Sequence, residues 1–147
     1  MNQRIVSILF ICIVFIFSNC NKNDNPPPSP TDYIIKGSWK FSSAKASGAD
    51  VTAQIPACFK DNTITFVASG QGTVNEGAIG CVPPAPANFT WSFQNNGAQI
   101  NLSAPLFPGG SSVFNVVLLN DVNLILSQSV TIPPATTPIT VELTFIH

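Results

Sequence analysis

Apolar and polar residues alternate with a period of two through most of the chain after residue 34. The last segment of this kind is the clearest, because every second position carries an apolar side chain: Ile139, Val141, Leu143 and Phe145. Successive side chains of an extended strand point to opposite faces, so this alternation predicts strands that bury one face and expose the other. The chain is therefore predicted to fold mainly as β-strands.

The alternation occurs in residues 35–42, 63–66, 89–94, 99–103 and 139–145. A weaker strand near residues 73–79 and a pair of strands at 113–119 and 122–127 bring the count to about eight. No stretch after Gly37 shows a helical period, although residues 49–59 have room for one short turn. The predicted fold class is thus all-β.

The connections between these segments alternate between short and long. Residues suited to tight turns lie at 69–72, 95–97 and 120–121, whereas long connections cover 46–62, 81–87, 104–111 and 129–138. In an up-and-down order, successive connections lie at opposite ends of the sheet. This pattern predicts an eight-stranded up-and-down antiparallel barrel with one closed end and one open mouth.

A β-sandwich is the alternative fold. Its Greek-key order would pair the first strand with distant strands, whereas a barrel pairs neighbours and joins the first strand to the last. In a sandwich the long loops would form a flat surface for a protein partner instead of a mouth. Strand order therefore distinguishes the two folds.

A few distinctive residues occur in a fixed order along the chain. They are the Gly-x-Trp motif at Gly37 and Trp39, then Cys58 with Lys60 and Asp61, then Cys81 and Trp91. Over about residues 33–147 this order resembles lipocalin-like domains, in particular those of small lipoproteins from Bacteroidetes-type bacteria. The resemblance implies that Trp39 plugs the closed end and that Trp91 packs in the core. Many lipocalins place an arginine near the last strand against this tryptophan, and this chain has none there.

The N-terminal residues follow a different pattern. An apolar run over residues 5–17 follows Arg4 and precedes Cys20. The run is too short to cross roughly 30 Å of hydrocarbon as a helix, so we interpret residues 1–19 as an export signal. Residues 17–20 resemble a bacterial lipobox, which implies that Cys20 carries a diacylglyceryl thioether and an acylated amino group. Such lipid would anchor the chain to a membrane of the bacterial cell envelope, with the outer membrane, on its periplasmic or surface face, as the expected site.

Residues 20–32 are predicted to form a flexible tether between the lipid and a single domain at 33–147. Beyond Cys20 the tether is polar and rich in proline, with no side chain that a core would bury. At about 3 Å per residue it would span on the order of 30–40 Å. Because it enters the first strand from the closed end, we expect the mouth to face away from the membrane.

Composition argues against several classes of function. The chain has 6 Lys and Arg against 7 Asp and Glu, a formal net charge of −1, and no polybasic cluster, so nucleic acid is not expected as a partner. His147 is the single histidine, and the acids lie on predicted loops or outward strand positions: Asp50, Asp61, Glu76, Asp121 and Glu142. No converging acid–base pair or ligand set can be assembled from these residues. We therefore predict no catalytic residue, no metal site and no cofactor.

The two cysteines of the domain are predicted to pair. If residues 70–71 centre the hairpin of the second and third strands, Cys58 lies opposite Pro83, about two residues from Cys81. Loop flexibility would close that gap, and export implies an oxidising compartment. A Cys58–Cys81 disulfide is the prediction, with two free buried thiols as the alternative.

Function is predicted at the mouth. Its long loops carry apolar residues where exposed segments are usually polar: Ile55, Phe59, Val82, Leu106, Phe107 and Ile132. The lipocalin resemblance implies that they line or cover a cavity for a small hydrophobic molecule. In the alternative, the loops pack onto a barrel already filled by phenylalanines and act on a protein partner: Phe66, Phe89, Phe93, Phe114 and Phe145. An eight-stranded barrel is just wide enough for either arrangement.

Overall fold

A computed structural model of the chain describes residues 26–106, 110–131 and 136–147. The predictions for the signal at 1–19, for Cys20, and for the mouth residues Phe107 and Ile132 lie outside these ranges. Within them, no helix is long and apolar enough to cross a bilayer.

In the part of the chain that the structure describes, nine antiparallel strands form one sheet. They are β1 (Ser38–Ala46), β2 (Ala49–Asp50), β3 (Thr63–Phe66), β4 (Gln71–Asn75), β5 (Asn88–Gln94), β6 (Gln99–Leu102), β7 (Val113–Leu119), β8 (Asn123–Val130) and β9 (Ile139–Ile146). From β3 to β9 each strand pairs with the next, and β1 pairs with both β3 and β9. The predicted eight-stranded up-and-down barrel is confirmed, and its sequential order excludes the sandwich.

The two-residue strand β2 is an addition that the alternation did not predict. It pairs with the end of β1 through a tight turn at Ser47 and Gly48, which lies at the mouth. The expectation that every tight turn lies at the closed end is therefore wrong at this one position. The other short connections, β3–β4, β5–β6 and β7–β8, lie at the closed end as predicted.

A short helix, α1 (Pro30–Ile34), precedes the barrel. Ser29 caps it: the backbone N–H of Asp32 donates to Ser29 Oγ at 3.3 Å, and the Ser29 N–H donates to Asp32 Oδ2 at 2.7 Å. The Ser29 hydroxyl also donates to Asp32 Oδ2 at 2.7 Å, and this bond, together with the one from the Ser29 N–H, holds the pKa of Asp32 below its ordinary value. Pro30 suits the first helical position because no partner is needed there for its missing N–H. The helix thus begins inside the segment predicted as tether.

The first strand begins later than the alternation predicted. Ile35 is the C-terminal cap of α1, so it is not a strand residue, and β1 starts at Ser38. The reason is that the Ser-Pro-x-Asp sequence before Ile35 starts a helix, and the fully buried residue is its neighbour Ile34. A period of two read through residues 35–38 is therefore coincidental.

The helix α1 lies across the closed end of the barrel. Its Pro30 ring packs against the β5–β6 turn so closely that a Cβ on Gly97 would come within 2.7 Å of Pro30 Cγ. Just after the helix, Lys36 forms an ion pair with Asp121 in the β7–β8 turn, which raises the pKa of Lys36. The chain therefore enters the barrel at the end opposite the mouth.

Trp39 lies beneath α1 and is fully buried. Its indole Nε1 donates to the carbonyl oxygen of Ile34 at 2.8 Å, which joins the first strand to the helix. The His147 ring lies on Trp39 with 3.9 Å between ring centroids, and His147 Nδ1 is 3.1 Å from the Ser38 carbonyl oxygen. Gly37 passes close by, because a Cβ there would be 3.3 Å from His147 Nδ1. Helix, indole and imidazole together seal this end.

A cluster of aromatic rings occupies the interior next to the closed end. Phe66 makes edge contacts with Phe89 and Trp91, and Trp91 makes one with Phe93, all at centroid distances of 5.5–5.6 Å. Gly72 creates the space for Phe89, since a Cβ at that position would lie 2.3 Å from the Phe89 ring. These rings fill the barrel section that is farthest from the mouth.

A bulge in β1 sets the shape of the interior. The register with β9 shifts between Phe41 and Ser43, so the inward positions change from Trp39 and Phe41 to Ala44 and Ala46. Large side chains thus point inward near the closed end and small ones near the mouth. The mouth half is left with unfilled volume.

Candidate functional site

A cavity of about 780 Å³ occupies the mouth half of the barrel. Its wall is built mainly from the inward positions of β1, β3, β4 and β9 and from the connection between β1 and β3. The lining residues are Phe41, Ala46, Val51, Gln54, Ile55, Pro56, Phe59, Asn62, Ile64, Val74, Leu106, Val130, Thr131, Ile139, Val141, Leu143 and Phe145. No charged side chain is among them.

The β1–β3 connection forms one side of this cavity. It contains a single turn at Thr52–Gln54 and a short helix, α2 (Ala57–Lys60). Because β3 pairs only with residues 38–40 of β1, the mouth half of β1 needs another partner. Val51 N–H donates to the Ala44 carbonyl at 2.9 Å, and Ala44 N–H donates to Thr52 Oγ1 at 3.0 Å. The connection therefore packs beside β1 as a wall and brings its apolar residues inward.

The disulfide Cys58–Cys81 joins this wall to the β4–β5 loop, with 5.2 Å between the two Cα atoms. The predicted pairing is confirmed, but the assumed register was wrong. The turn occupies residues 67–70, with Gly70 N–H donating to the Val67 carbonyl, and Gln71 already belongs to β4. Strand β3 pairs Ile64 with Val74, and extending that register puts Cys58 level with residue 80, next to Cys81.

The β4–β5 loop has further anchors beside the disulfide. Asp61 Oδ2 accepts the backbone N–H groups of Ala78 and Ile79 at 2.9 and 2.8 Å, and Glu76 Oε1 accepts that of Ala85 at 2.6 Å. Asp61 and Glu76, two of the acids considered for catalysis, thus accept hydrogen bonds from the backbone of the β4–β5 loop. The rim of the cavity is tied to α2 at several points.

The predicted mouth residues divide into three groups. Ile55, Phe59 and Leu106 line the cavity. Val82 does not, because it is 98% exposed in a loop segment whose neighbours Cys81 and Ala85 are the residues that turn inward. Phe107 and Ile132 lie outside the described residues.

The phenylalanines of the filled-barrel alternative occupy only part of the interior. Phe66, Phe89 and Phe114 are buried, and Phe93 is half-buried against the core. Phe145 is on the cavity wall, where it makes an edge contact with Phe41 at 6.2 Å. The interior is therefore filled near the closed end and empty near the mouth.

A sequence model of lipocalin-like domains matches residues 35–126, which is more than half of the chain. The chain belongs to the lipocalin-like family. A search of curated proteins returned no significant match. Lipocalin-like domains typically bind small hydrophobic molecules and are typically not enzymes.

Asn62 is a buried polar residue of this lipocalin-like domain that was not predicted as a site residue from the sequence. Asn62 lines the cavity, is only 7% exposed, and its Oδ1 has no hydrogen-bond partner among the described residues. A signal was present, since Asn62 is in phase with the inward residues Ile64 and Phe66. The position was instead assigned to a loop.

A second buried polar residue, Gln128, lies in phase with the inward residues Leu124 and Leu126 of β8. Its Oε1 accepts the backbone N–H of Ser111 at 2.7 Å and so ties the β6–β7 loop to the barrel. Gln128 is not on the cavity wall. We assign it to anchoring that loop.

Ionisable groups of the lipocalin-like domain that have shifted pKa values lie on the surface and are not among the residues that line the cavity. Asp50 is an example, since hydrogen bonds from Thr52 lower its pKa. Among the described residues, no group of three or more His, Cys, Asp or Glu side chains could hold a metal ion. The cavity offers apolar surface and the buried amide of Asn62, which are groups that suit noncovalent contact with a small molecule.

Proposed function

We propose that this lipocalin-like domain binds a small hydrophobic molecule in its mouth cavity. The observation that carries the proposal is a volume of about 780 Å³ enclosed almost entirely by apolar side chains. Small-molecule sites in proteins commonly have volumes of about 300–1,000 Å³ and mostly apolar walls. A guest that buries about 200 Å² of apolar surface would gain roughly 5 kcal/mol from leaving water.

We further propose that Cys20 is lipidated and anchors the chain to a membrane of the bacterial cell envelope. The apolar run before Cys20 and the polar, proline-rich residues after it support this proposal. The entry of the chain at the closed end, beside the β5–β6 turn, supports an orientation with the mouth away from the membrane. Such an anchored domain would take up its ligand from the surrounding compartment.

Native mass spectrometry of the protein purified from its own host tests ligand binding. We expect a reproducible noncovalent added mass on the native wild-type protein, measured against the same protein after denaturation, which keeps any lipid bound covalently to Cys20. The Ala46→Trp variant should lose it, because Ala46 points into the cavity and an indole would occupy that volume. Lys45→Trp is the matched control, since Lys45 points outward from the same strand and should leave the added mass in place.

Two results would contradict the proposal. One is an added mass that persists in a folded Ala46→Trp protein. The other is a wild-type protein that carries no added mass and takes up no neutral apolar probe such as N-phenyl-1-naphthylamine.

A further inference from the structure

If the cavity binds a small hydrophobic molecule as proposed, the unpartnered amide oxygen of Asn62 indicates which polar group that molecule carries. Asn62 precedes β3 and lines the cavity near Ile64 and Val74, which are apolar. A buried polar atom without a hydrogen bond is costly, by an amount comparable to the bond that is missing. Oδ1 itself is closed to solvent, so a ligand would reach it once the Asn62 side chain turns its amide toward the cavity, and a ligand that supplies the missing partner would remove this cost on binding.

The chemistry of the missing partner follows from the atom. The unpartnered atom is the carbonyl oxygen Oδ1, which accepts hydrogen bonds and cannot donate them. Its partner must therefore carry an O–H or N–H group. Rotation about the Cβ–Cγ bond exchanges the places of the amide oxygen and nitrogen, so a hydroxyl group, which both donates and accepts, suits either orientation.

The lack of charged residues among the described lining residues limits the net charge of the ligand. Among the described residues that line the cavity, no Lys, Arg or His could pair with an anion, and no Asp or Glu could pair with a cation. Burying an unpaired carboxylate or ammonium in such surroundings is strongly unfavourable. A charged headgroup could not enter the cavity without losing its hydration.

We infer that the cavity selects a neutral hydrophobic molecule with a hydroxyl group or similar hydrogen-bond donor, which bonds to Asn62. Long-chain alcohols and hydroxylated polycyclic hydrocarbons have this chemistry. Saturated hydrocarbons, ethers and ionised fatty acids of the same size lack it. Asn62 is thus a specificity-determining residue and the buried amide of a wall that, apart from Gln54 and Thr131, provides apolar contact.

A pair of isomers tests this assignment. 1-Decanol and 1-methoxynonane have the same formula and nearly the same apolar surface, but only the alcohol donates a hydrogen bond. We would measure how each displaces N-phenyl-1-naphthylamine from the purified full chain. The Ala46→Trp variant serves as the blank, because it corrects for probe held by detergent or lipid.

We expect wild-type protein to bind the alcohol roughly tenfold more tightly than the ether, the effect of one buried hydrogen bond. Ionised decanoate should bind more weakly than the alcohol. The Asn62→Leu variant should lose the preference for the alcohol and bind the ether at least as well as the wild type does. Its urea-unfolding midpoint should not fall, because a buried unsatisfied group has been replaced by an apolar one.

Asn101→Leu is the matched control. Asn101 also has a buried Oδ1 without a partner, but it lies outside the cavity, on β6 between the inward residues Ile100 and Leu102. This variant should keep the preference of the wild type. Asn62→Thr, which retains a hydroxyl near the same place, should keep part of it.

The outcomes separate the two proposals. If wild-type protein binds the two isomers equally, the role of Asn62 is overturned while ligand binding stands. If a folded Asn62→Leu variant keeps the tenfold preference, the role of Asn62 is overturned as well. If the wild type holds no more probe than the Ala46→Trp blank, the proposed function fails and this inference fails with it. If Asn62→Leu does not fold, Asn62→Thr decides instead, because an undiminished tenfold preference in that variant would overturn the role of Asn62.

Discussion

Single side chains seal the closed end of the barrel and determine the polarity of the cavity at its mouth. His147 lies on Trp39, the tryptophan against which many lipocalins place an arginine near the last strand. Like a guanidinium, an imidazole is flat and can stack on an indole face, so it covers the ring in a similar way. No local pattern indicates this contact, because 108 residues separate its two partners in the sequence.

The hydrogen bond from Trp39 to Ile34 predicts a specific loss of stability. Trp39→Phe removes the Nε1 donor and leaves a buried carbonyl without a partner, so we expect the free energy of unfolding to fall by about 1–3 kcal/mol. Hydrogen exchange should also become faster at the α1 amides that this bond holds in place, such as Ile35 N–H, which donates to Thr31.

Trp91→Phe is the control for that variant. It also removes an indole hydrogen bond, here to the Gln71 carbonyl at 3.0 Å, but it does not touch α1. Exchange at α1 should therefore stay at the wild-type rate. Equal protection of α1 in both variants would show that Trp39 does not hold the helix.

Among the elements, strands were more predictable than the segments around them. β3 and β7 were predicted with their observed bounds and β5 to within one residue, because clear turn residues lie beside them and because β3 and β5 alternate strictly. Strand β1 was predicted too early and too short. Its alternation is broken by the bulge after Phe41, and a change of phase cannot be distinguished from the end of a strand without its partner β9.

The disulfide is the element-scale contact with the largest expected energy. It closes a loop with a sequence separation of 23 residues, for which the chain-entropy treatment gives about 3 kcal/mol. The double variant Cys58→Ser/Cys81→Ser should lose about that much stability in urea unfolding. Its ligand affinity should also fall, since α2 carries Phe59 on the cavity wall.

A reducing agent supplies the control for this prediction. Reduction of the wild type should lower its unfolding midpoint to that of the double variant, and should leave the double variant unchanged. A wild type whose unfolding is insensitive to complete reduction would show that the bridge adds no stability.

On the scale of the whole molecule, the two ends of the barrel have different tasks. The closed end receives the incoming chain, α1 and the aromatic cluster, while the other end holds the cavity. An anchor on the N-terminal side would therefore leave the mouth accessible. This separation is consistent with the proposed lipid anchor, which rests on the sequence around Cys20.

The anchor itself leads to a direct prediction. Cys20→Ser should abolish incorporation of labelled palmitate and shift the protein out of the lipid-modified membrane fraction. Cys12→Ser is the matched control, because Cys12 lies within the proposed signal and its replacement should leave labelling intact. Full labelling of the Cys20→Ser protein would refute the anchor.

The sequence by itself determined the all-β class and predicted the up-and-down strand order and the proximity of Cys58 to Cys81, which the structure then selected over the sandwich and the free thiols. These features depend on alternation and turn residues, which are local, and on the rule that neighbouring strands of a meander pair. Only the tertiary structure decided that the phenylalanines fill one half of the barrel, that Val82 points outward, and that Asn62 faces the cavity unpaired. The volume left empty depends on the sizes and directions of side chains from all the strands, and the bulge in β1 alone changes which β1 side chains point inward. This volume is therefore a balance that involves the whole barrel. Such a balance cannot be calculated from any one segment.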